Sequence, residues 1–559
     1  MTDGTGALPV RAWARLAVGA AEAAVDPLDR ANVFPVPDAD TGTNLLLTLR
    51  EGAAAVARAE PGADLAARFA RGCVLGARGN SGVIVSAWVR ALVEGWPTGP
   101  ARALAAAAAA ARTAVADPVD GTALTVADEA ARAAGAAATD APVAVLVAAC
   151  DGARAAVLRS PSELGSRGRG RLDAGAQGLR LVLGALAAAC GAADPELLRV
   201  VPADAPGVSV AGGTLGLERR TGAVEAVEEV PDVPAAEGDD ELEVMFTLDV
   251  PEAQEPEEPA GEDRGDVADA MRAALAAAGT SVAVVGGDGT WRGHVHTAEP
   301  GMALDAAVQV AKDAGGRLRD VQVQDLGRPR PGGLGVVAVT SAPGLVVELA
   351  RAGAVVLAHG RRRTPPSPAA LRRALEETRA RVVLLVAPPG TPVPDDEEAV
   401  SGALGPVVVR VETPTDAHTV SALAALATLP HAPDPDVAAL RAAASRTRET
   451  VAGVRGAVLP TEWGSAVGVV EALVAAASPA GSAGKAATGV VVLVHGVRAD
   501  DELLARVAEH VSARDPHAEV LVLPSGRDDA VVHVGVEPPA PPGPGLAGSS
   551  GGAAREGAA

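Results

Sequence analysis

The sequence predicts a multidomain chain: an all-α N-terminal region, then a small α+β middle domain, then an α/β C-terminal domain. With 559 residues, the chain is long enough for three or four domains. Hydrophobic residues make up 48% of the chain and aromatic residues only 1%, so we expect cores built from Ala, Val and Leu. The expected limits are 1–203 (helical), 204–240 (acidic linker), 241–330 (middle), 331–537 (C-terminal) and 538–559 (disordered tail).

The helical prediction for the first 200 residues rests on their richness in Ala, Leu and Arg, which favour helices. Short glycine-containing breaks interrupt this pattern and hold nearly all the polar residues suited to chemistry. This layout is typical of a helical bundle whose loops form a site at one end. The breaks lie at 76–82, 95–99, 117–122 and 165–178.

The middle domain is predicted from a mixture of short apolar runs and helical patterns. The expected order is strand 242–250, helix 268–278, strands 281–286 and 291–297, helix 301–314 and strand 320–324.

The C-terminal domain alternates apolar runs with helical stretches, which predicts a parallel α/β sheet. We expect strands at 335–340, 354–358, 382–387 and 407–411, with helices at 343–352, 367–379 and 416–427. A further α/β part is expected at 435–452, 465–477 and 500–513 (helices) and at 489–495, 519–523 and 530–535 (strands).

Charge and cysteine content narrow the function classes. A net charge of −22 argues against nonspecific binding to nucleic acid or to anionic membranes. The three scattered cysteines form neither a disulfide framework nor a zinc-ribbon spacing. The sequence shows neither a signal pattern nor a membrane-spanning run, so we expect a reduced, cytoplasmic setting.

The most informative segment is the loop from Asn32 to Asn44. It is stiffened by two prolines and carries the carboxylates of Asp38 and Asp40 one residue apart, just before a helical pattern. Such a pair repels itself unless a cation lies between, and Mg²⁺ bound by carboxylates and substrate phosphates is a common solution. Because helix starts favour phosphate, the loop predicts a metal–nucleotide site. The alternative is that one of the two acids simply caps the next helix.

Three further breaks carry polar residues of the kind that contact a nucleotide. They contain Asn80 and Ser81, then Asp120-Gly121-Thr122, and finally Asp173 preceded by three arginines. Each has a plain capping explanation, but together they favour one shared site. No Walker motif exists, and the first 311 residues lack lysine. Phosphate charge there must be met by metal, arginine or backbone N–H groups.

His294 and His296 alternate on a predicted strand, which places both imidazoles on one face. This is half of a zinc site, although two surface histidines on an amphipathic strand give the same pattern. No cysteine lies nearby to complete a thiolate site.

Taken together, the motifs resemble the kinase domain of bacterial fatty acid kinases, which is similar to the nucleotide-binding subunit of dihydroxyacetone kinase. The match covers about 8–200 and rests on 32–44, 76–84, 121–122 and 173–178. Downstream, 294–301 resembles the family's middle domain, and 335–340 with 411–415 resembles its C-terminal, DegV-like domain.

The resemblance implies an all-helical barrel that binds ATP and two Mg²⁺ ions at one end. Asp38 and Asp40 would be the catalytic residues and would bind Mg²⁺ together with Asn32, which stands where relatives have a further acidic ligand. The nucleotide-lining residues would be Thr41, Gly42, Thr43, Asn44, Asn80, Ser81, Gly82, Gly121, Thr122 and Asp173.

The family also implies a reaction and partners. The expected reaction is phosphorylation of a fatty acid carboxylate that a separate DegV-type fatty-acid-binding protein presents, giving acyl phosphate for phospholipid synthesis. A homodimer is a further expectation. The alternatives are a dihydroxyacetone or small-polyol kinase, and a non-catalytic nucleotide-binding scaffold.

Two departures from the family pattern stand out. The family usually has glycine between the paired acids, where this chain has Ala39; a positive φ there would cost alanine roughly 1 kcal/mol. Relatives supply a cysteine to the His-x-His pair, but the strand near 241–245 has none. Zn²⁺ therefore requires a carboxylate, Glu241 or Glu243, as the replacement ligand.

Overall fold

The structure is a computed structural model that describes residues 7–203, 241–251, 265–326, 334–359, 366–391, 406–427, 436–477, 490–516 and 518–537. The predicted acidic linker at 204–240 and tail at 538–559 lie outside these residues. The chain divides into two compact units. The first comprises 1–386, 390–410 and 430–444, and the second comprises 387–389, 411–429 and 445–559.

The N-terminal part of the first unit is helical, as predicted. Its α-helices are α1 (Val10–Ala31), α2 (Thr41–Ala57), α3 (Leu65–Gly76), α4 (Gly79–Gly95), α5 (Pro100–Thr113), α6 (Ala123–Gly135), α7 (Pro142–Leu164) and α8 (Ala174–Ala189). Short 3₁₀ helices lie at Trp96–Thr98 and Pro195–Leu198. Closure of these helices into a barrel stays a prediction.

The helical core has the expected composition of small aliphatic side chains with a few aromatic anchors. Trp13 is fully buried, and its Nε1–H donates to the Val182 carbonyl at 3.1 Å. Its ring meets Phe69 edge-on with centroids 5.0 Å apart. Small residues let the helices approach closely: a Cβ on Gly152 would lie 2.6 Å from the Glu129 carbonyl oxygen.

The rest of the first unit is built on a mixed sheet. Its elements are β1 (Leu242–Asp249), α9 (Gly265–Ala276), β2 (Thr280–Gly287), β3 (Thr290–Thr297), α10 (Pro300–Asp313), β4 (Arg317–Asp325), β5 (Leu334–Thr340), α11 (Pro343–Arg351), β6 (Val355–Ala358), α12 (Pro368–Glu377), β7 (Val382–Ala387) and β8 (Val407–Glu412).

The strands take the order β2-β3-β1-β4-β6-β5-β7-β8. The pairs among β1 to β4 are antiparallel, whereas β5 pairs in parallel with β6 and with β7. Strand β4 pairs antiparallel with β6, so the sheet is continuous across position 330, where the sequence suggested a boundary. The predicted domain limits stay predictions.

The second unit contains a smaller sheet in the order β11-β10-β12-β9. The last elements of the described chain are α13 (Asp416–Ala427), α14 (Val437–Gly453), β9 (Arg455–Val458), α15 (Trp463–Ala477), β10 (Val490–His495), α16 (Asp501–Arg514), β11 (Glu519–Pro524) and β12 (Val532–Val536). The sequence did not predict β9, because only Ala457 and Val458 of its four residues are apolar and they form no clear apolar run. Among the described helices, none is both long and apolar enough to cross a bilayer.

Candidate functional site

The loop between α1 and α2 is organised by Asp29, which the sequence did not single out. Its carboxylate accepts the Gly42 amide at 2.7 Å, the Thr43 amide at 3.1 Å and the Thr43 hydroxyl at 2.9 Å. Asp40 occupies the N-cap position of α2, yet its side chain makes no capping hydrogen bond. Asp29 therefore caps α2, and capping does not account for the paired acids.

The two predicted metal-binding acids lie together. Asp38 is half-buried, Asp40 is buried, and the Asn32 side-chain amide donates to Asp38. Burial raises the pKa of Asp38 well above its usual range, and Asp40 and Glu243 raise it further. The charged form is thus costly in the absence of a cation, which is the electrostatic condition that favours a bound divalent metal.

A cavity of about 1110 Å³ opens beside this loop. Most of the predicted site residues line it: Asn32, Asp38, Asp40, Thr41, Asn44, Asn80, Ser81, Thr122 and Asp173. The cavity is also lined by Glu241, Glu243 and His296 from the sheet. Among the residues named here, the cavity thus brings together positions up to 264 apart in the chain (32 to 296).

Four predicted nucleotide-lining residues do not line this cavity and instead shape its loops. A Cβ on Gly42 would lie 2.5 Å from the Val25 carbonyl oxygen, and one on Gly82 would lie 2.5 Å from Thr48 Oγ1. Thr43 is bound to Asp29 through its hydroxyl. Gly121 has a φ of +85° and donates its amide to Thr125 Oγ1 at 2.8 Å.

Thr122 and Asp173 both line the cavity and cap helices. Thr122 accepts the Leu124 amide at 3.3 Å, and Asp173 accepts the Ala176 amide at 2.7 Å. The plain capping explanation is therefore correct for these two residues. Burial raises the pKa of Asp173 to about 7, although the Ala176 and Gly175 amides oppose the shift.

Arginines supply positive charge at the same cavity, which Arg167, Arg169 and Arg171 line. The Arg167 guanidinium lies 5.4 Å from the ring centroid of Phe34, and Arg171 donates to the Arg30 carbonyl at 2.9 Å. Both contacts hold the segment with these arginines near the loop that carries Asp38 and Asp40 (the acidic loop, 32–40). This region of the sequence has no lysine.

Glu243 completes a three-residue cluster with His294 and His296. One ligand atom from each lies within 4.8 Å of the other two. His294 Nε2 is 2.9 Å from a Glu243 carboxylate oxygen, and Gln324 donates to the other oxygen. The sequence named Glu241 and Glu243 as alternative replacements for the missing cysteine, and the cluster in the described residues contains Glu243.

The hydrogen bonds of His294 and the charge of Glu243 favour a bound cation in this cluster. His294 Nδ1 faces the Ser281 carbonyl oxygen at 3.0 Å, so it must donate a proton there. Its Nε2 then needs either a second proton or a cation to face a carboxylate. Burial would raise the pKa of Glu243, but His294, His296 and Gln324 lower it to about 2.

His296 provides the third donor. Burial lowers its pKa to about 3, with His294 adding to the effect, and its buried Nδ1 has no hydrogen-bond partner within the described part of the chain. A His₂Glu set of this kind would fit Zn²⁺, which takes imidazole nitrogen and carboxylate oxygen ligands.

Comparison with known proteins gives two family matches. Residues 35–188 match the DAK2 domain, and residues 241–328 match the FakA-like middle domain of fatty acid kinases. An uncharacterized protein of Staphylococcus saprophyticus is 43% identical over 118 residues, which are 20% of this chain and 21% of the relative. An uncharacterized protein of Staphylococcus haemolyticus is 42% identical over the same shares. The chain thus spans about a fifth of the length of these curated relatives.

Among solved structures, the dihydroxyacetone kinase of C. freundii is similar at 21% identity and a TM-score of 0.25, over 32% of this chain and 34% of that one. The family matches define the class as a protein with a DAK2 domain followed by a second, middle domain. More particularly, these two regions are similar to those of FakA-like kinases of the DAK family, which confirms the resemblance indicated by the motifs.

Ala39, between the paired acids, has a φ of +53°. Because glycine adopts this conformation without a Cβ clash, we expect Ala39→Gly to raise the free energy of unfolding by up to about 1 kcal/mol. Chemical denaturation of both proteins measures this change. An unchanged or lower stability in Ala39→Gly would show that the alanine is not strained.

The raised pKa of Asp173 predicts a pH-dependent stability. The folded state holds this proton more tightly than the unfolded state, so its stabilising contribution is complete below about pH 4 and is lost as the pH rises through about 7. Asp173→Asn keeps the cap but cannot ionise. Relative to wild type, the variant should therefore gain stability between about pH 5 and 8, by at most about 1.4 kcal/mol per pH unit. Metal-free thermal unfolding measures the gain, and an equal difference at both pH values would contradict it.

The histidine cluster predicts one bound transition metal per chain after incubation with zinc. Glu243→Gln should lower the metal content at least about tenfold, because it removes an anionic ligand. Glu241→Gln is the matched control, since Glu241 also lines the cavity but lies outside the cluster. Metal analysis of the dialysed proteins decides between them, and equal loss in both variants would count against the assignment.

Proposed function

We propose that the chain is an ATP-dependent phosphotransferase whose acceptor is the carboxylate of a fatty acid. The observation that carries the proposal is the meeting of Asn32, Asp38 and Asp40 with Asn80 and Ser81, at the start of α4, at one cavity. The DAK2 match over 35–188 supports the class of reaction. The middle-domain match over 241–328 supports a fatty acid over a small polyol as the acceptor.

The residues at this cavity would each have a distinct task. Asp38 and Asp40, with Asn32 beside them, would hold Mg²⁺, which supplies charge neutralisation for the phosphates. Asn44, Asn80 and Ser81 offer polar groups to the nucleotide at the starts of α2 and α4. The arginines at 167, 169 and 171 place positive charge at the cavity, where no lysine is available.

A carboxylate acceptor needs little activation by the protein. A fatty acid carboxylate is already ionised at neutral pH, so a strong general base is not required. Alignment of the carboxylate oxygen with the terminal phosphorus and stabilisation of phosphoryl charge would carry the rate. The carboxylate oxygen would form a bond to the γ-phosphorus of ATP, while the bond from that phosphorus to the β,γ-bridging oxygen breaks and its electron pair leaves with ADP. The product would be an acyl phosphate, a precursor suited to phospholipid synthesis. A separate fatty-acid-binding protein of DegV type would deliver the fatty acid, because a free long-chain fatty acid is poorly soluble in water.

The acidic pair gives the decisive test. Asp38→Asn and Asp40→Asn should each lower Mg²⁺-dependent ATP turnover at least about 100-fold, because each removes a charged metal ligand. The assay is ADP release with Mg²⁺, ATP, a long-chain fatty acid and a DegV-type fatty-acid-binding protein. A parallel reaction with dihydroxyacetone tests the polyol alternative.

Asp64→Asn is the matched control for this test. Asp64 accepts the Ala66 and Ala67 amides at the start of α3, and it does not line the cavity. Asparagine is an equally good cap, so this variant should turn over normally. Wild-type turnover in either loop variant would refute the metal assignment. Nucleotide binding without ADP release for any acceptor would favour the scaffold.

A further inference from the structure

The C-terminal end of α12 contacts the acidic loop from a distant part of the sequence. Arg379, just beyond the helix, has a φ of +54°. Its guanidinium donates to the Asp29 carboxylate and, at 3.3 Å, to the carbonyl of Ala39. Ala39 is the residue between the two acids, so one arginine side chain binds both the loop backbone and the carboxylate that caps α2.

Asp29 connects Arg379 to the first residues of α2. Its side chain is only 7% exposed and accepts the amides of Gly42 and Thr43 in addition to Arg379. A buried carboxylate needs charged or hydrogen-bonding partners on each of its oxygens. The Gly42 and Thr43 amides use one oxygen, while Arg379 and the Thr43 hydroxyl use the other. Loss of Arg379 would leave Asp29 less firmly held and would loosen the start of α2.

A second contact fixes the same end of α12. Glu377 forms an ion pair with Arg78 at 2.9 Å, and both side chains are almost completely buried. Arg78 is the N-cap residue of α4 and directly precedes Gly79, Asn80 and Ser81, the first three residues of that helix. Gln322 on β4 also donates to Glu377, at 2.8 Å. Because these contacts are buried, α12 cannot shift without breaking them, and Arg379 is held against the loop.

We propose that Arg379 is a positioning residue for the kinase site. Through Asp29 and the Ala39 carbonyl, it fixes the direction in which Asp38 and Asp40 face the cavity. Helix α12, which follows β6 in the chain, would thereby affect the affinity of the helical region for a metal–nucleotide. This inference rests on the proposed function for its effect on binding, but the contact itself is testable without a nucleotide.

The test uses the full-length protein and two readouts. Hydrogen–deuterium exchange of the Gly42 and Thr43 amides reports the contact directly. In Arg379→Ala, we expect exchange at these amides to rise at least about tenfold and the Kd for a Mg²⁺–ATP analogue to rise at least about tenfold, because Asp29 loses its charged partner. Arg379→Lys should be intermediate, because lysine keeps the charge but cannot bind two acceptors as a planar fork.

Arg372→Ala is the matched control. Arg372 lies on α12 and forms a comparable ion pair at 2.6 Å with Glu51 on α2, away from the acidic loop. It should leave exchange at Gly42 and Thr43 and the nucleotide Kd within about twofold of wild type. If Arg379→Ala unfolds, Arg379→Lys supplies the same comparison in a folded protein.

The possible outcomes separate the two proposals. Unchanged exchange at Gly42 and Thr43 in Arg379→Ala overturns the positioning role. So does an unchanged Kd in Arg379→Ala when the wild type binds the analogue. A wild type that binds no Mg²⁺–ATP analogue overturns the proposed function instead, whatever the exchange result. An equal effect from Arg372→Ala shows general destabilisation and also overturns the specific role.

Discussion

The arrangement of the candidate site depends on the hydrogen bonds that the Asp29 carboxylate accepts from the start of α2. By accepting the first amides of α2, it removes the need for Asp38 or Asp40 to cap that helix. The paired acids can then face the cavity, where their mutual repulsion and partial burial favour a divalent cation. Without Asp29, one of the two acids would have to accept the free amides at the start of α2 and could not face the cavity.

The sequence predicted those features that depend on local chemistry. Residue spacing and helix-start signals located Asp38, Asp40, Asn80, Thr122 and Asp173, all of which line one cavity. Apolar runs located most strands to within three residues. The contact between Asp29 and Arg379 could not be predicted, because it joins positions 350 residues apart and depends on how α12 packs. The pairing of β4 with β6 depends in the same way on tertiary structure.

The histidine cluster shows how a change of ligand can keep a site while altering its chemistry. Glu243 offers a hard oxygen where the resemblance implied a soft thiolate. Because Glu243 and His296 line the same cavity as Asp38, the charge of the cluster also acts on the acidic pair. A cation bound by Glu243 would weaken the repulsion that raises the pKa of Asp38. Metal occupancy in the middle region and in the acidic loop would therefore be coupled electrostatically.

The cavity is built by the helical region and the sheet together. Backbone hydrogen bonds link the two directly: the Ala116 amide donates to Val282 at 3.0 Å and the Val284 amide donates to Ala114 at 2.8 Å. The buried Arg292 side chain on β3 also lies against the Ala77 carbonyl, one residue before Arg78. A fragment containing only the helices would lack both the wall formed by Glu243 and His296 and the support from α12. The helical motifs alone therefore supply the proposed ligands of the candidate site, whereas the sheet is needed to enclose the cavity and hold its loops in place.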